Sequence, residues 1–418
     1  MRLPPAVVSH TEEVLREVLR FTGPADGTLS RYFREHPRLG GRERGMIAES
    51  IYAVLRNKLV YTNFAESGTG PAMRRLVLLG LADVAGVEAI SGLSPEETAW
   101  LERVIRVDRE ALQPQLKANL PEWLYRKLAQ DVGEDGVIKM ARVLNSPAPL
   151  DLRVNILKVS REEAIAELAK VPLQCELPPY AASALRIYKK PALQNLPIFK
   201  SGGIEVQDEG SQVLAQLVGA RRGEMVVDFC AGAGGKTLAL GAIMRNTGRL
   251  YAFDVSEKRL AKLKPRLARS GLSNVHPTVI AHENDAKVKR LAGKIDRVLV
   301  DAPCSGLGTL RRNPDVKWRM QPQAIAELNE KQFSILSGAS RLVKPGGRLV
   351  YATCSILSEE NEAIVERFLA THSAFQLVPV KQVLEEQGIP LEMENYLKLL
   401  PQVHNTDGFF AAVLERRQ

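Results

Sequence analysis

Up to about residue 145 the apolar side chains return every three or four positions, the spacing that gathers them on one face of a helix. GRERGMIAESIYAVLRN (41–57) and PAMRRLVLLGLADVAG (71–86) carry that pattern clearly. Ser9 and Glu12 predict a capping box ahead of Val14, Leu15, Val18 and Leu19. Ser94 predicts an N-cap for PEETAWLERVIRV, with Pro95 at the first helical position, and Pro121 opens PEWLYRKLAQDVG. No cluster of catalytic-type side chains interrupts these helices, so the segment reads as a docking or packing module.

At NSPAPLDLRVNILK (145–158) the pattern changes: proline appears, charge thins and a strand-like LDLRVNIL begins. REEAIAELAK (161–170) is helical and ALRIYKK (184–190) is strand-like, which predicts a small mixed insert. Strands and helices alternate after about residue 206. MVVDFCA, GRLYAFDV, VHPTVIA, IDRVLVDAP, GRLVYATCS, FQLVPV and a terminal GFFAAVLERR read as strands. Such alternation predicts an α/β fold with a mostly parallel, doubly wound sheet.

The chain has 418 residues and a net charge of +9, which favours a polyanion such as nucleic acid as partner. The plainer alternative is a soluble basic protein. Its cysteines, Cys175, Cys230, Cys304 and Cys354, are too few for a disulfide framework. No CxxC and no His pair at ligand spacing is present, so no metal is expected. The first residues lack an apolar signal core and no apolar run reaches membrane length, so a cytoplasmic protein is expected.

The chemistry collects at the ends of the predicted strands. DFCAGAGGKT (228–237) is a strand, a tight glycine turn and a helix start. It misses a P-loop because Cys230 holds the first glycine position, and misses a dinucleotide loop because Thr237 holds the third. Such a turn lets backbone approach a ligand closely. Asp254, about twenty residues on, suits ribose hydroxyls. Asn284-Asp285 is placed for an adenine edge, and the next strand ends in Asp301. Any one aspartate is more often a cap or turn residue. Asp228, Asp254, Asp285 and Asp301 at successive strand ends favour a cationic nucleoside, S-adenosylmethionine.

Two thiols end strands: Cys304 in VLVDAPCSGLG and Cys354 in RLVYATCSILSEENE. Carbon 5 of a pyrimidine is a poor nucleophile until a thiolate adds at carbon 6, and a base must later remove its proton. The pair of thiols suits that reaction, though the chemistry alone does not divide the roles between them. An exocyclic-amine methyltransferase would end the Asp301 strand in Asp/Asn-Pro-Pro-aromatic; DAPC points to a ring carbon instead. Cys175 reads as structural, and Cys230 as packing beside the cofactor.

Two basic stretches are candidates for RNA contact. On EKRLAKLKPRLARSG, Lys258, Lys262, Arg266 and Arg269 share a face opposite Leu260, Leu263 and Leu267, and Pro265 should kink the helix. That face is more often merely solvated. In LRRNPDVKWR (310–319), Arg311, Arg312, Lys317 and Arg319 are placed to hold phosphates. Trp318 is placed to stack on a base or to anchor a core. A base that reaches both sulfurs must first leave any helix it occupies.

Taken together, DFCAGAGGKT, FDVSEKRL, NDA, DAPCSGLGTLRRNPDVKW, ATCSILSEENE and TDGFFAAVLER resemble the RNA cytosine-5 methyltransferases of the Sun (NSUN) family, in their bacterial RsmB-like branch, which modifies 16S rRNA. LRVN (152–155) and VQDEGSQ (206–212) extend the likeness, and RERGMIAESIYAVLRN is similar to that branch's NusB-like domain. The family's loop more often reads CAAPGGKT; here Gly232 and Ala233, both small, stand in for Ala and Pro.

The resemblance implies a helical NusB-like RNA-docking domain (1–144), a small RRM-like α/β subdomain (145–205) and a class I methyltransferase domain (206–418). It implies methylation of carbon 5 of a cytosine in RNA through a covalent adduct, by a monomer that needs neither metal nor membrane. Cys354 would be the nucleophile, Cys304 would assist proton removal and product release, and Asp301 would contact the cytosine ring. Cys230, Ala231, Gly232, Ala233, Gly234, Gly235, Lys236, Asp254, Asp285 and Asp301 would line the S-adenosylmethionine site. Two other classes stay open at this stage. One is a non-catalytic RNA-binding or ribosome-assembly factor; the other is an NTPase, disfavoured by Cys230.

Overall fold

The structure is a computed structural model that describes every residue except 1, 172, 189 and 190. The last two residues of the predicted strand at 184–190 therefore lie outside the described residues. The chain forms two bodies: residues 1–147 with 309–322, and residues 148–308 with 323–418.

The first body is helical. Its longer helices are Pro5–Val18, Ala25–Glu35, Gly41–Arg56, Lys58–Glu66, Ala72–Ala85, Pro95–Ile105 and Glu122–Leu144. Their apolar faces meet in a core where Leu15, Ile47, Ile51, Val54, Leu55, Leu78, Leu81 and Leu101 are wholly buried. Ser94 caps its helix as expected: its hydroxyl accepts from Glu97 N at 3.1 Å, and the Glu97 carboxylate accepts from Ser94 N at 3.0 Å.

The capping box expected at Ser9 does not form. Pro5 starts that helix a turn earlier, because proline's fixed φ suits the first helical position, and Ser9 falls inside it. Glu12 instead pairs with Arg74 at 3.6 Å. The helix expected to stop at Gly133 breaks there (φ 71°), but a second helical stretch resumes at once and runs to Leu144.

The second body holds two sheets. The small one is antiparallel, with β1 (Leu150–Val154) between β2 (Ala184–Ile187) and β3 (Ile204–Val206). On β1, buried Asp151 accepts from Arg186 at 2.7 and 2.8 Å and from Glu209 N at 3.0 Å. The VQDEGSQ stretch thus works as a joint. Gln207 accepts from Arg153, Asp208 caps Gly210, and Glu209 starts the helix Glu209–Leu217.

The large sheet contains β4 (Met225–Asp228), β5 (Arg249–Asp254), β6 (Val275–Val279), β7 (Ile295–Asp301), β8 (Val343–Thr353), β9 (Phe375–Val378), β10 (Leu397–Leu399) and β11 (Phe409–Arg416). Its order is β10-β11-β8-β7-β4-β5-β6, with β9 also on β11. The pairs among β4 to β8 are parallel, and β11 runs antiparallel to β8. The short strand β10 has no alternation long enough to be seen in sequence. Strand order reverses between β4 and β7, and a doubly wound sheet opens its ligand crevice at the carboxyl ends beside such a reversal. Among the described residues no helix is long and apolar enough to cross a membrane.

Candidate active site

Register brings the two thiols together. Asp301 on β7 pairs with Ala352 on the adjacent, parallel β8, so both strands end at the same level. The turns beyond them carry Cys304 and Cys354, whose sulfurs lie 3.4 Å apart. Both thiols are half-buried and both line a cavity of about 680 Å³ at the strand tips. That volume suits a small-molecule ligand.

The opposite wall is the glycine loop after β4. Gly232 (φ 56°) and Gly234 (φ 83°) both take left-handed backbone, which favours glycine. Their surroundings differ. A Cβ on Gly234 would lie 2.1 Å from Leu263 Cδ1, whereas one on Gly232 would meet nothing nearer than Cys230 O at 4.0 Å. Gly234 thus lets the helix Glu257–Ser270 pack closely, and Gly232 leaves open space beside the cavity it lines. Gly232 N donates to Asp254 at 2.8 Å, so the end of β5 braces the loop.

Asp228, Asp254, Glu283 and Asp301 line the cavity together with Lys236, Arg259 and Lys331. Arg259 pairs with Asp254 at 3.1 Å. Asp228 is buried and its pKa is pushed up to about 7, mainly by loss of water and further by the charges of Asp301 and Asp254. Its Oδ2 accepts from Thr237 at 2.6 Å, while Oδ1 is buried without a hydrogen-bond partner among the described residues. Lys236 donates to Asp301 at 2.7 Å. Burial works against the Lys236 ammonium, but the Asp301 carboxylate outweighs it and the pKa rises. The hydrogen bond to Cys354 raises the Cys304 thiol well above its usual range; burial and the charges of Cys354 and Glu360 add to this. Burial likewise pushes up the Cys230 thiol, which lines the cavity beside the loop.

Most of the residues expected from sequence meet here: Cys230, Ala231, Gly232, Ala233, Gly235, Lys236, Asp254, Asp301, Cys304 and Cys354 all line the cavity. Gly234 supports it from behind. Asp285 does not line it. Its two oxygens accept from Ala281 N and Lys287 N at 2.8 Å each, so it serves as the cap of a short helix, and those amides hold its carboxyl below the usual range. His282 and Glu283 stand at the wall in its place. Nothing in their residue types marked them beforehand.

The segment expected to grip RNA is largely interior. Lys317 is wholly buried, and its ammonium donates to Arg56 O (3.0 Å), Asn119 O (2.7 Å) and Asn145 Oδ1. Burial, with the nearby charges of Arg56 and Lys58, lowers its pKa well below the usual lysine range. Arg311 is buried and donates to Pro147 O at 3.2 Å. Trp318 donates to Leu55 O at 2.7 Å and packs on the helical core, the anchor role. Arg312 is half-buried. Residues 309–322 belong to the helical body, whose carbonyls take the donors of Arg311, Lys317 and Trp318.

On the helix Glu257–Ser270, Lys258 and Lys262 are exposed, while Arg266 and Arg269 pair with Glu205. The helix runs through Pro265 as one element. In the helical body, His10, Glu13 and His36 gather with ligating atoms within 4.8 Å of one another, a cluster that sequence spacing did not reveal. The Tyr32 hydroxyl hydrogen-bonds His10 at 2.8 Å and Glu13 at 2.5 Å.

Comparison with known proteins bears on this geometry. Residues 215–415 match the family described as 16S rRNA methyltransferase RsmB/F, and residues 120–194 match the RsmF/B-like ferredoxin-like domain. The chain is 32% identical to a probable ribosomal RNA small subunit methyltransferase B of Synechocystis sp., over 96% of this chain and 98% of that one. It is 28% identical to a probable counterpart in Bacillus subtilis, over 91% and 92% of the two. Among solved structures it is similar to PH0851, with a TM-score of 0.80 and 28% identity over 100% of both chains. A methyltransferase homolog protein from Pyrococcus horikoshii matches with a TM-score of 0.62 and 28% identity, over 74% of this chain and 100% of that one.

Proposed function

The chain belongs to the RsmB/F family of 16S rRNA methyltransferases, and from that premise we propose that it methylates carbon 5 of a cytosine in 16S rRNA, with S-adenosylmethionine as methyl donor. The observation that carries the reading is the pair of sulfurs 3.4 Å apart on the wall of one cavity that three aspartates also line. When bound, S-adenosylmethionine supplies an electrophilic methyl group. The residues fit a cationic nucleoside. Asp228, Asp254 and Asp301 line the cavity, Asp228 Oδ1 lacks a partner among the described residues, and Gly232 leaves room beside the loop.

In this reading Asp301 contacts the cytosine ring, and Lys236 holds that carboxylate in place. Cys354 adds as thiolate at carbon 6, and the pair of electrons displaced toward carbon 5 makes that carbon nucleophilic. After methylation the carbon 5 proton leaves to a base, carbons 5 and 6 regain their double bond, and Cys354 departs. Cys304 is the base. Two sulfurs this close cannot both ionise cheaply, so Cys304 rests as a thiol. Its chief restraint is the neighbouring sulfur. Once that sulfur has bonded to carbon, Cys304 loses its proton to solvent more readily and becomes competent to take another.

The rest of the proposal follows the sequence expectations. Residues 1–144 dock RNA as a NusB-like domain, residues 145–205 form an RRM-like subdomain, and residues 206–418 carry the chemistry of a cytoplasmic monomer that needs no metal. The test is a methyl-transfer reaction on 16S rRNA with labelled donor, followed by nucleoside mass spectrometry. 5-Methylcytidine is expected. Methyl groups found only on an exocyclic nitrogen or a ribose would overturn the proposal.

A further inference from the structure

Each of the paired cysteines is followed by a serine, and both serines bond to one carboxylate. Glu360 is wholly buried beyond the end of β8. Its Oε1 accepts from Ser305 N at 2.8 Å and from Gln332 Nε2 at 2.9 Å. Its Oε2 accepts from Ser305 Oγ at 2.5 Å and from Ser355 Oγ. The two hydroxyls are themselves 3.2 Å apart. We propose that Glu360 is the positioning residue that clamps two turns, Cys304-Ser305 and Cys354-Ser355, at the separation the two-thiol reaction needs. This inference rests on the two-thiol reading above.

The arrangement is more than a local cap. The Glu360 side chain bonds to turns after two different strands and to Gln332 on the helix Pro322–Ser340, which also donates to Pro303 O at 3.1 Å. Among the described residues its hydrogen-bond partners, Ser305, Ser355 and Gln332, are neutral donors. Its own backbone is pinned as well, because Tyr351 OH donates to Glu360 O at 2.6 Å. Next to it, Asn361 bonds to Thr353 Oγ1 at 2.5 Å and to Ser355 O at 3.1 Å. Cys354 and Glu360 both act on Cys304, Tyr351 lies close by, and Asp301, Lys236 and Lys331 share its cavity; the Glu360 charge disfavours the Cys304 thiolate. The clamp therefore sets a distance and also adds its charge to what holds the proton on Cys304.

Glutamine fills the same volume but carries no charge, and its NH₂ is met only if both serine hydroxyls turn from donors to acceptors, so neutral bonds replace charge-assisted ones and the two turns are held more weakly. Misplacing reacting groups by about 1 Å costs on the order of 10²-fold in rate. The experiment compares wild type with Glu360→Gln and with the double variant Ser305→Ala/Ser355→Ala. It reads kcat, KM for the donor, thermal unfolding, and the pH dependence of iodoacetamide alkylation at each cysteine by mass spectrometry. Glu360→Gln should lower kcat by about 10²-fold, leave KM for S-adenosylmethionine unchanged, and shift Cys304 alkylation to lower pH. A folded Glu360→Gln protein with wild-type kcat and an unchanged alkylation profile would overturn the clamp. Should Glu360→Gln not fold, the serine double variant decides: the same kcat loss is expected, and wild-type kcat overturns. If wild type makes no 5-methylcytidine, the functional reading fails separately, while the alkylation shift still judges Glu360.

Discussion

Alanine at Gly232 and at Gly234, the two left-handed glycines of the cofactor loop, should do damage of different kinds. Gly234 sits at φ 83° with Leu263 Cδ1 2.1 Å from where a Cβ would be. A left-handed alanine costs about 1–2 kcal/mol, and forcing a methyl into a packed site costs about 1–3 kcal/mol more. Gly234→Ala should therefore lose roughly 2–5 kcal/mol of stability. At ~2–4 °C per kcal/mol for a body of this size, its Tm should fall by roughly 4–20 °C. Gly232 has φ 56° but open space where its Cβ would go, so Gly232→Ala carries only the conformational cost, about 1–2 kcal/mol. The added methyl lies beside the cavity, so donor affinity should weaken by about tenfold, near 1.4 kcal/mol. Calorimetric unfolding and titration with S-adenosylhomocysteine separate the two effects. Trimming the obstructing side chain in Gly234→Ala/Leu263→Ala should give a favourable coupling energy in a double-mutant cycle. A larger Tm loss for Gly232→Ala than for Gly234→Ala, or additive behaviour of Gly234→Ala with Leu263→Ala, would refute the reasoning.

Cys354→Ala should abolish methyl transfer, whereas Cys304→Ala should accumulate a protein–RNA adduct that survives a denaturing gel; turnover by Cys354→Ala would reverse the roles. Asp228 has a folded pKa raised from 3.8 to about 7, so the native state holds a proton the unfolded chain has lost between those values. Stability should fall as pH rises through that window, and Asp228→Asn should flatten the fall in urea-unfolding curves taken across it. Lys317 has the opposite linkage: its folded pKa lies below 10.5, so the unfolded chain binds the extra proton on the alkaline side. Wild type should gain stability as pH rises toward 10.5, and Lys317→Met should show no such gain in unfolding measured at successive alkaline pH values.

Much of the cavity was legible in the sequence because its parts are local. A strand, a glycine turn and a helix start are neighbours along the chain in DFCAGAGGKT, and turn chemistry alone demands them. The two cysteines could be placed at one crevice because strands that alternate with helices run parallel and end on the same side. The length and order of those strands also made the doubly wound sheet readable.

What the tertiary structure decided were the partners of charged and polar groups. Lys317 and Arg311 had the residue types of a phosphate grip, but carbonyls of Arg56, Asn119 and Pro147 claimed them. Asp285 stands at a strand end like the other aspartates, yet Ala281 N and Lys287 N took both of its oxygens. Glu360 looked like one acid in a run of acids until Ser305 and Ser355 were brought to it. Periodicity records which face of an element avoids water. It carries no record of which distant donor or acceptor will be waiting when a polar group is buried, and that pairing settles whether a charge binds a ligand or holds the fold.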